Sequence, residues 1–182
     1  MKIHGFIVSF VFVLSSCTKK EENLCSNQVL RVELESRSNS QVKGFLELKE
    51  LSSGALEISG KVENLSPGEH GFHVHEIGDC SALDATSAGP HFGHHHEKHA
   101  DLNHQDRHAG DLGNILADSK GTAMIKIESK KLCLSDPKCS VLGRSFIVHA
   151  EPDDLKSQPA GNSGARQACG LIPSTCSGSS GN

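Results

Sequence analysis

From Val29 onward the chain alternates in polarity: Leu30, Val32 and Leu34 fall on one side of an extended segment, and Arg31, Glu33 and Glu35 fall on the other. A period of two is that of a strand with one face buried, and a helix cannot satisfy it. Comparable stretches follow at 45–51, 55–62, 71–75, 114–117, 123–127, 144–149 and 166–172. Turn chemistry lies between several of them, at Ser38-Asn39, Ser53-Gly54, Ser66-Pro67-Gly68 and Ser119-Lys120-Gly121. The pattern predicts an all-β domain: eight antiparallel strands in a Greek-key β-sandwich or flattened barrel around one core. Two connections, 78–111 and 150–165, are too long for hairpins. The first is rich in His, Asp and Gly and has no helical apolar stripe, while the second carries Pro152, Asp153, Asp154 and Pro159. Loops of this length on a compact sheet are functional or disordered, and these side chains favour function.

Composition narrows the function classes. With 12 His and 18 Gly but no Trp or Tyr, the chain suits turn-rich β structure carrying metal chemistry. A net charge of −4 without a basic stripe argues against a nucleic-acid partner. An anionic substrate must therefore be drawn by a local field.

The first residues read as an export signal. Lys2 supplies a positive start, and 6–14 is an apolar run too short to span a bilayer. The run ends in Leu14-Ser15-Ser16-Cys17, which resembles the lipobox of bacterial lipoproteins. On that reading 1–16 is a signal peptide, Cys17 carries the lipid, 17–27 is a polar tether and 28–182 is the functional domain. The product would be exported and lipid-anchored to the bacterial cell envelope, on its periplasmic or cell-surface face. An ordinary signal peptide with a coincidental Cys, or an uncleaved anchor, are the alternatives. Setting Cys17 aside leaves Cys25, Cys80, Cys133, Cys139, Cys169 and Cys176, an even set that suits disulfides in an oxidising compartment.

His73 and His75 lie two apart on a predicted strand, so their rings leave one face about 7 Å apart along the backbone and can converge on one ion. Alone, such a pair is as often a pair of surface histidines. The chain adds His91, His99, His108, Asp111 and His149, a set without Cys that suits borderline divalent ions such as copper and zinc.

The resemblance then becomes specific. Gly71-Phe72-His73-Val74-His75-Glu76, Thr86-Ser87-Ala88-Gly89-Pro90-His91-Phe92, His108-Ala109-Gly110-Asp111-Leu112-Gly113-Asn114, Val148-His149 and Gly164-Ala165-Arg166-Gln167-Ala168-Cys169-Gly170 occur in this order. Together they resemble the copper/zinc superoxide dismutases. The resemblance implies a copper site of His73, His75, His91 and His149 and a zinc site of His91, His99, His108 and Asp111. The deprotonated ring of His91 would bridge the two ions. It further implies that copper cycles between oxidation states while superoxide becomes dioxygen and hydrogen peroxide, and that zinc stays redox-inert. Asp153 matches a carboxylate that links the two ligand sets, Arg166 an arginine that attracts the anion, and His70 a structural histidine. Cys80 and Cys169 match the family's internal disulfide.

Three pairings remain for Cys25, Cys133, Cys139 and Cys176. The first and last strands meet in this fold, which favours Cys25 with Cys176. The Ser135-Asp136-Pro137 turn favours Cys133 with Cys139, and free thiols are the alternative. The second long loop is shorter than in eukaryotic members and resembles bacterial ones. His94, His95, His96 and His104 match no ligand; they are either a solvated loop with incidental metal affinity or a metal-capture arm. A scaffold that only stored metal would need the ligands but neither Asp153 nor Arg166. The sequence leaves a homodimer open.

Overall fold

The structure, a computed structural model, describes Cys25 and residues 28–93 and 97–176. The leader at 1–16, Cys17 and the loop histidines His94, His95 and His96 lie outside the described residues. Eight strands follow in order: β1 (Val29–Ser36), β2 (Lys43–Glu50), β3 (Leu56–Glu63), β4 (Gly68–His75), β5 (Asp111–Ala117), β6 (Ala123–Ser129), β7 (Ser145–His149) and β8 (Arg166–Leu171). All pairings are antiparallel, in the order β5-β4-β7-β8-β1-β2-β3-β6. The neighbours β3 and β6, β4 and β7, and β1 and β8 are not consecutive, which gives the Greek-key crossovers. The outer strands β5 and β6 come into contact, so the sheet nearly closes into a flattened barrel.

The alternation read from β1 is the one observed, with Leu30, Val32 and Leu34 buried and Arg31, Glu33 and Glu35 exposed. Facing strands supply Leu46, Leu48, Ile58, Val62, Phe72, Val74, Phe146 and Val148, all buried in one cluster. Phe72 and Phe146 stack across β4 and β7 with ring centroids 5.4 Å apart. Burying each such side chain contributes about 1.5–3 kcal/mol, which fixes the register, because a one-residue slip would turn this set outward.

Two strands, β4 and β5, start three residues earlier than the sequence reading, and the other ends shift by at most two. β4 starts at Gly68, three residues earlier than expected, because Gly68 serves both as the end of the Ser66-Pro67-Gly68 turn and as the first paired residue, opposite Ala117. β5 starts at Asp111, expected as the last residue of the loop. Its backbone pairs with His73, after a bulge between Gly71 and His73.

Alternation also positions the histidines. With Phe72 and Val74 facing the core, His73 and His75 leave the opposite face of β4; they are nonetheless fully buried, because both long connections fold over that face. Ile147 on β7 faces the same way and packs with Ala85, Ala88 and Cys169 beneath the first connection. The disulfide between Cys80 and Cys169 fastens that connection to β8, and Cys133 is bonded to Cys139. Cys25, assigned from sequence to the tether, is buried and bonded to Cys176, so the folded part takes in Cys25.

Candidate metal centre

The structure brings together every ligand candidate named from sequence. His73 and His75 come from β4, His149 from the end of β7, Asp111 from the start of β5, and His91, His99 and His108 from the first connection. One ligand atom from each of His73, His75, His91 and His149 lies within 4.8 Å of the others, and the same holds for His91, His99, His108 and Asp111. His91 belongs to both groups, and its ring centroid is 4.0 Å from that of His73 and 5.4 Å from that of His99. An isolated bridge between His75 and His91 ties the first connection to β4 and holds this ring in place.

The hydrogen bonds give each ring one committed and one free nitrogen in the first group. His73 Nε2 lies 2.7 Å from Asp153 Oδ2, and His75 Nδ1 lies 2.9 Å from the Gly89 carbonyl. His91 Nδ1 lies 2.8 Å from Asp111 Oδ1, and His149 Nδ1 lies 3.4 Å from the Gly164 carbonyl. The remaining nitrogens, His73 Nδ1 and Nε2 of His75, His91 and His149, are buried with no protein partner. An unsatisfied buried polar atom costs about 1–3 kcal/mol, and four that converge on one point are the donor set of a cation. In the second group Nδ1 of His91, His99 and His108 all approach Asp111 Oδ1, at 2.8, 3.0 and 3.3 Å. Three imidazoles and one carboxylate suit zinc. The donors therefore fit both ions.

Asp153 joins the groups, with Oδ2 on His73 and Oδ1 2.8 Å from His99 Nε2. Sequence reasoning missed what holds Asp153. Asn114 donates through Nδ2 to the Asp153 carbonyl and accepts the Asp153 N–H. Gly161, with φ of 66°, packs against the Asp153–His99 contact so closely that any side chain there would strike the carboxylate and the ring. Gln158 was also missed; it brackets the main chain of His99 through both ends of its amide. The motif that contains Asn114 was visible in the sequence, but Gln158 carries no local signal of a role.

Burial keeps the first group neutral, as metal ligation requires. It pushes His75 and His149 well below the usual histidine range, helped by neighbouring rings, and lowers His91 to about 4 and His73 as well, despite the opposing carboxylates. Burial would also lower His99, but hydrogen bonds and charges from Asp111 and Asp153 prevail and raise it to about 9. Burial would raise both carboxyls, yet the His donors hold Asp111 and Asp153 well below the usual range.

Arg166, the first residue of β8, pairs with His149 on β7. Its guanidinium donates to the carbonyls of Ala85 and Gly89, each at 2.8 Å. Ala85 adopts the left-handed conformation, with φ of 57°, at the start of the 3₁₀ turn Thr86–Ala88. A cleft of about 320 Å³, lined by His149, Ser163, Arg166 and the 157–160 segment, opens beside this pair. His70 bridges the His149 carbonyl and Ser66 through its two ring nitrogens, as a structural residue. His104 is exposed and takes no part in either group.

The sequence matches the family model for copper/zinc superoxide dismutase (SODC) over residues 42–172. The chain belongs to the copper/zinc superoxide dismutase family. It is 45% identical over 140 residues to superoxide dismutase [Cu-Zn] 3 of Arabidopsis thaliana, covering 74% of this chain and 84% of that protein. It is 41% identical over 143 residues to the extracellular superoxide dismutase [Cu-Zn] of Brugia pahangi, covering 74% and 70%. To the superoxide dismutase [Cu-Zn] of Onchocerca volvulus it is 42% identical over 141 residues, covering 72% and 88%. As a copper/zinc superoxide dismutase, the chain is an oxidoreductase with copper and zinc as its metals.

Proposed function

We propose that His73, His75, His91 and His149 hold copper, that His91, His99, His108 and Asp111 hold zinc, and that His91 stands between them. The four convergent, unpartnered imidazole nitrogens beside the Arg166 cleft carry this reading. Copper, when bound, supplies the one-electron couple that turns superoxide into dioxygen and hydrogen peroxide, and zinc supplies a redox-inert charge. The residues of the chain do the rest. Asp153 fixes the rings of His73 and His99 and leaves His73 only Nδ1 to offer. His91 belongs to both groups, so its ring stays held through Nδ1 while its buried Nε2, which has no protein partner, can hold a proton for the reduced product.

Arg166 attracts the anion and holds no metal. Its two carbonyl contacts fix the guanidinium at the mouth and leave its charge uncompensated by any ion pair within 4.0 Å among the described residues. A unit charge roughly 4 Å from a small anion contributes about 1 kcal/mol in a water-like dielectric and about 4 kcal/mol at an effective constant near 20. The cleft is open, so the lower part of that range applies, equivalent to about tenfold in rate. Arg166→Ala is expected to slow dismutation about tenfold with copper and zinc content unchanged, and the deficit should shrink as salt screens the charge. Arg166→Lys should recover part of it, since it restores the charge without the planar fork. An Arg166→Ala enzyme with the parent's rate and salt dependence would assign steering to other residues.

We further infer a bacterial lipoprotein that detoxifies superoxide at the cell envelope, anchored through lipid on Cys17 by a tether running to Cys25, with a homodimer left open. Three disulfides support an oxidising compartment. Cys17→Ser is expected to move the protein from the membrane to the soluble fraction with its activity intact. Equal membrane retention of parent and variant would remove the anchor.

A further inference from the structure

We propose that Gln158 is a positioning residue through which zinc governs access to the copper ligands; the proposal rests on the metal assignment above. Gln158 lies on the connection between β7 and β8, and its amide pairs with the backbone of His99 on the other long connection. Oε1 accepts the His99 N–H at 2.9 Å, and Nε2 donates to the His99 carbonyl at 2.7 Å and to the Lys156 carbonyl at 3.1 Å. Only one orientation of the amide satisfies all three contacts, so the side chain works as a two-point clip on the main chain of a zinc ligand.

The same residue, with Ser157, Pro159 and Ala160, forms a wall of the cleft that contains His149 and Arg166. The wall is stiff. Asp154 accepts from Lys156 N–H, Ser157 N–H and Ser157 Oγ, and the Gly161 N–H donates to the Ser157 carbonyl at 2.7 Å. A displacement at Gln158 therefore shifts the rim as a unit. The two carboxylates act on the ring of His99, whereas Gln158 acts on its main chain. Zinc fixes His99, His99 fixes Gln158, and Gln158 sets the rim. Without zinc this chain of contacts loses its anchor and the rim loosens over His149.

The test is extraction of copper by a chelator from protein carrying copper with and without zinc. For the parent, removing zinc should speed extraction about tenfold, the scale set by two net hydrogen bonds. Gln158 is exposed, so Gln158→Ala opens no cavity and should fold. With both metals bound, that variant should release copper about as fast as the zinc-free parent, and zinc should pass to a competing chelator about tenfold faster than from the parent. Gln158→Glu keeps the acceptor for the His99 N–H but loses the donor, so it should fall between the two. If the zinc dependence of copper extraction is the same in Gln158→Ala as in the parent, the proposal is wrong. His108→Ala serves as the control for the metal assignment: tight zinc retention in that variant would overturn the assignment itself, whatever Gln158→Ala does.

Discussion

His91→Ala is expected to lower superoxide turnover by more than about a hundredfold and to weaken copper and zinc binding together. Removing a residue that only supports a ligand costs about 10–100-fold in metal affinity or activity, and the loss of a ligand shared by two sites must exceed that. Among the described residues, the geometry makes this residue the only shared one. Its Nε2 faces His73, His75 and His149 without another partner, and its Nδ1 faces the Asp111 carboxylate. Each side of the pair should respond separately to its own variants. His149→Ala should deplete copper and keep zinc, because its free nitrogen belongs only to the first group, and His108→Ala should do the reverse. Metal analysis on purified variants reads all three. Normal occupancy of both sites in His91→Ala would contradict the assignment.

The second large effect is on stability. The bond between Cys25 and Cys176 spans 151 residues of chain, whereas that between Cys133 and Cys139 spans 6. By loop-closure entropy the first stabilises the fold by about 5 kcal/mol and the second by about 2 kcal/mol. Both Cys25 and Cys176 lie in the main core cluster, so their bond also ties the segment before β1 to the segment after β8. The double variant Cys25→Ala/Cys176→Ala is expected to lose about 5 kcal/mol in denaturant unfolding of metal-free protein, with the Cys133→Ala/Cys139→Ala variant losing less than half as much. Metal-free protein is needed because bound ions add stability of their own. A loss under about 1 kcal/mol in the first variant would show that the link between Cys25 and Cys176 contributes little to the stability of the fold.

What could be read from the sequence followed its periodicities. A period of two put His73 and His75 on one face of their strand, and the structure brings both into the first ligand group. The ordered motifs contain the candidates His91, His108, Asp111 and His149, whereas His99 lies in none of them and entered through the family resemblance. The supports were not legible. Asn114 lies within a strand and meets Asp153 only once the second connection folds back, and Gln158 meets His99 across a gap of 59 residues in sequence. Such contacts depend on where two loops settle relative to each other, and no local period encodes that. The left-handed conformation of Ala85, whose carbonyl holds Arg166, was equally invisible, since a non-glycine residue gives no warning of positive φ. The two largest boundary shifts fall where a residue serves two purposes, as Gly68 does at its turn and Asp111 does as both ligand candidate and first residue of β5.

The most direct test is the decay of superoxide in the presence of the full chain loaded with copper and zinc, with metal content measured on the same sample. The account predicts one copper and one zinc per chain, in keeping with the two ligand groups. It also predicts that decay accelerates with many superoxide molecules consumed per protein, and that copper removal abolishes the effect. Full occupancy of both sites with decay no faster than in buffer would contradict it and leave a metal-binding protein without dismutase activity.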